Sequence, residues 1–194
     1  MFDSRNDAES SGLFLNFAST NYIEYGTYDS YHQFYLDVNQ FTNSWNQLGM
    51  IIDGNLLSLV INGAIVNSIS IEGNISYNSL YNIGQRYHQG AGHEWDGSID
   101  NISIWDIALN ENHLLEHNFN SLSGNENNLV SMYNINTNDE NILIDNTDNG
   151  NDGSIYGATW ADESILSINA ASSNTNKDNA SERALSSPLE TAFI

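Results

Sequence analysis

The sequence has no cysteine, one proline and only four basic residues, which face 25 acidic ones. Without cysteine there is neither a disulfide framework nor a thiolate metal site. The charge balance, −21 with histidine neutral, excludes nucleic acid as an expected partner, because phosphate binding relies on clustered Lys and Arg. An anionic membrane surface would repel the chain for the same reason. No stretch approaches the ~18–20 apolar residues of a membrane helix. Met1 to Ser11 are polar rather than a signal peptide, so no membrane insertion is expected. Cation binding is what this composition permits.

What is present suits a folded β protein. At 194 residues with 40% hydrophobic and 11% aromatic side chains, the chain has material for a proper core. The length fits one domain, or one plus a piece of another. The acidity is rich in Asp and sits beside 31 Asn, a composition of turns. Such short side chains also supply oxygen ligands for hard cations such as calcium.

Short segments separated by Asn, Asp and Gly predict strands over Gly12–Ala18, Tyr22–Tyr28, His32–Val38, Trp45–Ile52, Leu56–Ile61 and Ala64–Ile71. Leu48, Met50 and Ile52 fall on one face by period two, as do Ile65, Asn67, Ile69 and Ile71. Asp53-Gly54 and Asn62-Gly63 are turn signals that residues tolerant of positive φ satisfy cheaply. Along Ser98–Ile107 the alternation breaks, and a β-bulge near Asp100-Asn101 would restore it. One helix is expected, capped by Asn110, begun by Glu111, packed by Leu114 and Leu115 and ending near Asn118. Further strands follow at Leu129–Ile135, Asn141–Ile144 and Ser154–Trp160. From about residue 165 onward the chain reads as linker or disordered tail. Short strands at regular spacing imply an all-β antiparallel sandwich.

The run WDGSIDNISIWDIALNENHLLEHNF, Trp95 to Phe119, resembles the closing signature of laminin-G-like (concanavalin A-like) jelly-roll domains. Trp45, Asp53-Gly54, Val60-Ile61-Asn62-Gly63 and Ile83-Gly84 fit the same pattern in order, so the resemblance covers most of residues 12–119. The family's opening, an Asp-containing loop and a Gly-x-x-x-Gly-Ala strand, resembles residues 129–160 instead. Those strands either complete the first sandwich, as in a circular permutant, or begin a second repeat. The first arrangement is preferred, giving one composite domain over residues 1–164, because first and last strands of a closed sandwich tend to be neighbours.

Four constellations could carry chemistry. His113-Leu114-Leu115-Glu116-His117 matches the H-x-x-E-H zinc motif, with both histidines on one helix face. A catalytic zinc also needs a third ligand and a rigid chamber, so exposed histidines on a capping helix are the preferred reading. Glu94, Asp96 and Asp100 share strand parity. The resemblance to jelly-roll glucanases invites comparison with their Glu-x-Asp-x-x-Glu strand, but Ser98 and Ile99 stand where the second Glu should fall. Solvated loop acids are therefore preferred to a glycosidase pair.

Asp145, Asp148, Asn151 and Asp152 crowd one loop suited to calcium, with Asp100 a weaker ligand candidate. The resemblance implies calcium at rim loops without locating it. Finally, Arg86, Tyr87, His88, His93 and Trp95 line a long loop whose aromatic faces and polar groups suit a sugar. Tyr87 and Trp95 covering the core edge is the competing reading. Arg86, Tyr87, His93 and Trp95 are the expected ligand-binding residues, and no catalytic residue is assigned.

The expectation is thus a non-catalytic binding module of a larger extracellular or cell-surface protein. Its partners would be a polysaccharide or glycoconjugate and neighbouring domains of the parent chain. A glycoside hydrolase domain and a structural spacer of an adhesin are the alternatives.

Overall fold

The computed structural model describes residues 2–5, 11–19, 21–41, 44–72, 81–85, 95–119, 122–135, 141–160 and 191–192. In chain order the elements are β1 (Phe2–Asp3), β2 (Leu13–Ser19), β3 (Tyr22–Thr27), β4 (Tyr31–Tyr35), a 3-10 turn (Val38–Phe41), β5 (Leu48–Asp53), β6 (Leu56–Ile61) and β7 (Ala64–Ser70). Then come β8 (Asn82–Ile83), β9 (Ile102–Trp105), α1 (Glu111–Phe119), β10 (Leu129–Tyr133), β11 (Ile142–Leu143), β12 (Gly153–Ser154) and β13 (Thr191–Ala192). Among the described residues, mostly antiparallel sheets with one short helix make this the expected all-β class. The chain divides into two compact units, one of residues 1–42, 50–60 and 65–99, the other of residues 43–49, 61–64 and 100–194.

The first unit holds a five-stranded sheet in the order β4-β3-β2-β1-β8. Pairing of Leu15 with Tyr25 and Leu13 with Thr27 puts Leu13, Leu15, Ile23 and Tyr25, all buried, on one apolar face, since alternate side chains point the same way. The opposite face carries Asn16, Glu24 and Gln33 in one cross-strand row. The strands start and stop within a few residues of their expected limits, but β4 ends at Tyr35 because Val38–Phe41 turns into 3-10 geometry.

The sheet β5-β6-β7 departs from the expected pattern. Leu48, Gly49, Met50 and Ile51 are all buried while Ile52 is only half-buried. Strand β5 is thus covered on both faces for most of its length, and a strand so covered need not alternate. The turn after β5 falls at Gly54-Asn55, one residue later than Asp53-Gly54 suggests. The turn after β6 is at Asn62-Gly63 as expected, with φ of 51° and 79°, the two left-handed residues that a tight hairpin turn requires.

In the second unit β9 lies between β10, antiparallel, and β13, parallel. The strand expected over Ser98–Ile107 shortens to Ile102–Trp105. Its parity changes at Asn101, which adopts a left-handed φ of 48°, and the register irregularity sits on the partner between Leu129 and Ser131. The strand expected over Ser154–Trp160 is only the two-residue β12, paired with β11. The stretch assigned to a linker tail lies outside the described residues except for Thr191–Ala192.

Helix α1 begins as the sequence predicts. The Asn110 side-chain oxygen accepts a hydrogen bond from the His113 amide at 3.1 Å, satisfying one of the orphan donors of a helix start. Leu114 is buried, but Leu115, expected to pack beside it, is 44% exposed. Leu114→Ala is therefore expected to lower unfolding free energy by about 2–4 kcal/mol, and Leu115→Ala by under ~1 kcal/mol. Urea titrations of the two variants would check this, and equal losses would contradict the burial difference.

Candidate functional site

The polar face of the five-stranded sheet gathers aromatic rings at its edge. Strand β4 is the outer strand, and Tyr31, Gln33 and Tyr35 alternate along it on one side. Tyr31 is 60% and Tyr35 68% exposed. Tyr35 pairs with Tyr22 across the strands, their ring centroids 5.5 Å apart. Tyr31 lies 6.2 Å from the Phe14 ring. Between the rings runs a polar chain. The Tyr35 hydroxyl donates to Gln33 Oε1 at 3.0 Å, and Gln33 Nε2 donates to Glu24 Oε1 at 2.9 Å. Next in that row is Asn16, 7% exposed, whose Oδ1 is buried without a hydrogen-bond partner.

One cation stands beside this face. Arg5 is the only Lys or Arg among the described residues, and it is already committed. Its Nε and Nη2 donate to the two carboxylate oxygens of buried Asp3 at 2.9 and 2.5 Å, and its guanidinium lies 4.0 Å over the Phe14 ring. A buried, forked ion pair of this kind fixes geometry and, among the described residues, leaves no loose Lys or Arg for an anionic ligand.

The loop expected to bind sugar is described only at its end. Arg86, Tyr87, His88, His93 and Glu94 lie outside the described residues. Trp95 is half-buried, with its ring 5.3 Å from Phe17 and its Nε1 buried without a hydrogen-bond partner. Its contacts are those of a residue covering the core edge. Of the acids once compared with a glycosidase pair, Asp96 is exposed and Asp100 accepts the Asn101 amide at 2.8 Å.

The H-x-x-E-H segment forms no metal centre with described residues, none of which group three or more His, Asp or Glu suitably for a metal. His113 is exposed as expected. His117 is not. Its ring stacks on Trp105 with centroids 4.9 Å apart and planes 25° from parallel, which makes it a packing residue. Burial lowers the His117 pKa below its ordinary value, Glu116 and Glu126 pull it up, and His113 pushes it down.

The acidic loop has a definite structure. Asp145 is 6% exposed. Its Oδ1 accepts the amides of Met132 and Thr147, each at 3.0 Å, and its Oδ2 accepts the Thr147 hydroxyl and the Asn151 amide, each at 2.9 Å. Burial raises the Asp145 pKa, but these hydrogen bonds outweigh it and hold the carboxyl below its ordinary range. Asp152 Oδ1 accepts the Asp145 amide at 2.9 Å, and Asn151 Nδ2 donates to the Val130 carbonyl at 2.9 Å. Asp148 is exposed. Calcium ligands must present oxygen lone pairs to one point, whereas N–H and O–H groups already occupy both Asp145 oxygens. The residues present do not fit calcium at Asp145.

An antiparallel β module with an aromatic, polar sheet face is of the class to which sugar-binding sandwiches belong. The family model for the concanavalin A-like lectin/glucanases superfamily, of laminin-G type, matches residues 1–114. The chain belongs to that superfamily, and the resemblance read over most of residues 12–119 is thereby shown as far as residue 114. No curated protein and no solved structure matches the chain. Laminin-G-like domains are β-sandwiches, generally non-catalytic and typically extracellular. Among the described residues no helix is long and apolar enough to cross a membrane.

The His117 stack carries a pH dependence. A histidine whose pKa falls on folding contributes stability that is present above its unfolded value, near 6.5, and is lost as pH drops through the folded pKa. Melting temperature is therefore expected to fall on acidification below that value. His117→Phe, which keeps an aromatic ring on Trp105, should flatten the pH profile in that window. An unchanged profile would show that the histidine is not its source.

Proposed function

We propose that this chain is a non-catalytic carbohydrate-recognition module of an extracellular or cell-surface protein, binding a neutral glycan on the polar face of its five-stranded sheet. The single observation that carries this reading is the row Tyr31, Gln33 and Tyr35, with two exposed rings flanking a hydrogen-bonded amide. Residues four apart on a strand are about 13 Å apart, the span of a short oligosaccharide. Aromatic faces take the C–H surfaces of sugars, while Gln33 and Glu24 offer sites for hydroxyls. The commitment of Arg5 to Asp3 favours an uncharged ligand. Superfamily membership supports the same substrate class at a coarse level.

A glycan array read with the intact chain is expected to give a signal for neutral polysaccharide. Tyr31→Ala and Tyr35→Ala should each weaken it roughly ten-fold, taking about 1–1.5 kcal/mol for one exposed aromatic contact. Their melting temperatures should stay near that of the parent chain, whereas Trp95→Ala should melt lower. Loss of signal in Arg86→Ala or His93→Ala with both tyrosine variants intact would move the site to the 86–97 loop. Release of reducing ends that disappears in Glu94→Gln would overturn the non-catalytic reading, and a silent array would leave the spacer role.

We also propose that residues 129–160 belong to the same module, because β10 is hydrogen-bonded to β9 and β9 lies inside the matched span. A chain truncated after Asn128 should then unfold at lower temperature and less cooperatively. Unchanged cooperativity and melting temperature would assign those strands to a second repeat.

A further inference from the structure

Strand β10 has two edges, and among the described residues only one of them is paired with a strand. Residues Leu129, Ser131, Met132 and Tyr133 pair with β9. On the other side, the loop of residues 145–151 takes the place of a neighbouring strand. The Asn146 amide donates to the Met132 carbonyl at 2.7 Å, and the Asn134 amide donates to Asn146 Oδ1 at 2.9 Å. Asn149 Nδ2 donates to the Val130 carbonyl at 3.0 Å, and the Tyr133 hydroxyl donates to the Asn151 carbonyl at 2.6 Å. The Met132 amide is taken by Asp145 itself.

Exposed strand edges are templates for unwanted pairing, and proteins cover or block them. Here a loop of short polar side chains does so, and the buried carboxylate holds the loop in shape. Hydrogen bonds to an ionised acceptor are about twice as strong as neutral ones. Four donors converge on Asp145, so both oxygens already have the positive partners a metal would otherwise supply. A cation approaching those oxygens would meet N–H dipoles pointing at it.

We infer that the Asp145 loop is a calcium-independent edge clip, in which the carboxylate gathers the Met132, Thr147 and Asn151 amides and fixes β10 in its register with β9. The Asp/Asn-rich segment 145–152 is a substitute for a metal site. Asp145, Asn149 and Asn151 are spent on the backbone of β10 and Asp152 on the Asp145 amide, and calcium is not part of how this unit folds.

The test is a calcium titration of the full chain followed by amide NMR, after removal of metal with EDTA. The Met132, Thr147 and Asn151 amides are expected to be protected from exchange in EDTA and to keep their chemical shifts through millimolar calcium. Asp145→Asn should expose these amides selectively and lower the melting temperature by about 5–10 °C, equally with and without calcium. Should that variant fail to fold, Thr147→Val, which removes one donor to Asp145, should give a smaller, equally calcium-insensitive loss. Saturable calcium shifts at these amides, or a calcium-dependent rise in melting temperature that either substitution abolishes, would overturn the inference.

Discussion

The buried carboxylate of Asp145 is the constraint on which the second unit depends. A charge at that depth is tolerated only when paired or fully hydrogen-bonded, and here three amides and a hydroxyl meet it. Those donors come from β10, from the residue two positions on and from the far side of the loop. One side chain therefore ties the loop and strand together. The fit also dictates its surroundings. Gly124 has a φ of 88° and packs so closely on the Asn146 carbonyl that any Cβ would collide with it. Glu126 closes the preceding loop by accepting the Ser123 and Gly124 amides at 2.7 and 3.0 Å. Polar side chains hold this region together, which is how a segment poor in apolar residues can still be ordered.

Sequence alone carried the fold class because alternation and turn chemistry are local properties. Leu56–Ile61, the Asn62-Gly63 turn and the Asn110 cap fall where the residues place them. The misreadings have a shared cause, which is that burial is decided by neighbours distant in sequence. Strand β5 looked one-sided because Leu48, Met50 and Ile52 share parity, yet Ile51 is buried as well. Helical spacing predicts His117 exposed beside His113, but a tryptophan twelve residues earlier covers its ring. The acidic loop depends on the same kind of distant neighbour. Composition reports how many oxygens a segment has, and only the fold reports which donors those oxygens already face.

The tyrosine face was missed for a related reason. Tyr22, Tyr31 and Tyr35 read individually as strand-forming residues with high β propensity. They become a surface only when β3 and β4 are paired in register, since Tyr22 and Tyr35 are thirteen positions apart and meet across the hairpin. A signal was present in the alternation of Tyr31, Gln33 and Tyr35, since a strand with aromatic and amide residues on one side is not a core strand on that side. Large rings grouped on one strand face form the kind of exposed patch that marks an interaction surface, and that is the reading proposed for them.

Charge ties the two regions together. A chain with a net charge of −21 would be expected to recruit cations, and calcium is the obvious one. Among the described residues three acids meet that need internally. Asp3 takes the guanidinium of Arg5, while Asp145 and Glu126 take backbone amides, whose partial positive charge costs no counter-ion. Among the described residues, the pairing of Arg5 with Asp3 leaves the sheet face of the first unit without an unengaged Lys or Arg. A ligand approaching it meets rings, amides and carboxylate, an arrangement that accepts hydroxyl donors and repels phosphate, sulfate and uronate. In the proposed reading, a preference for uncharged sugars follows from the engagement of Arg5 by Asp3 as much as from the tyrosines that would touch the ligand.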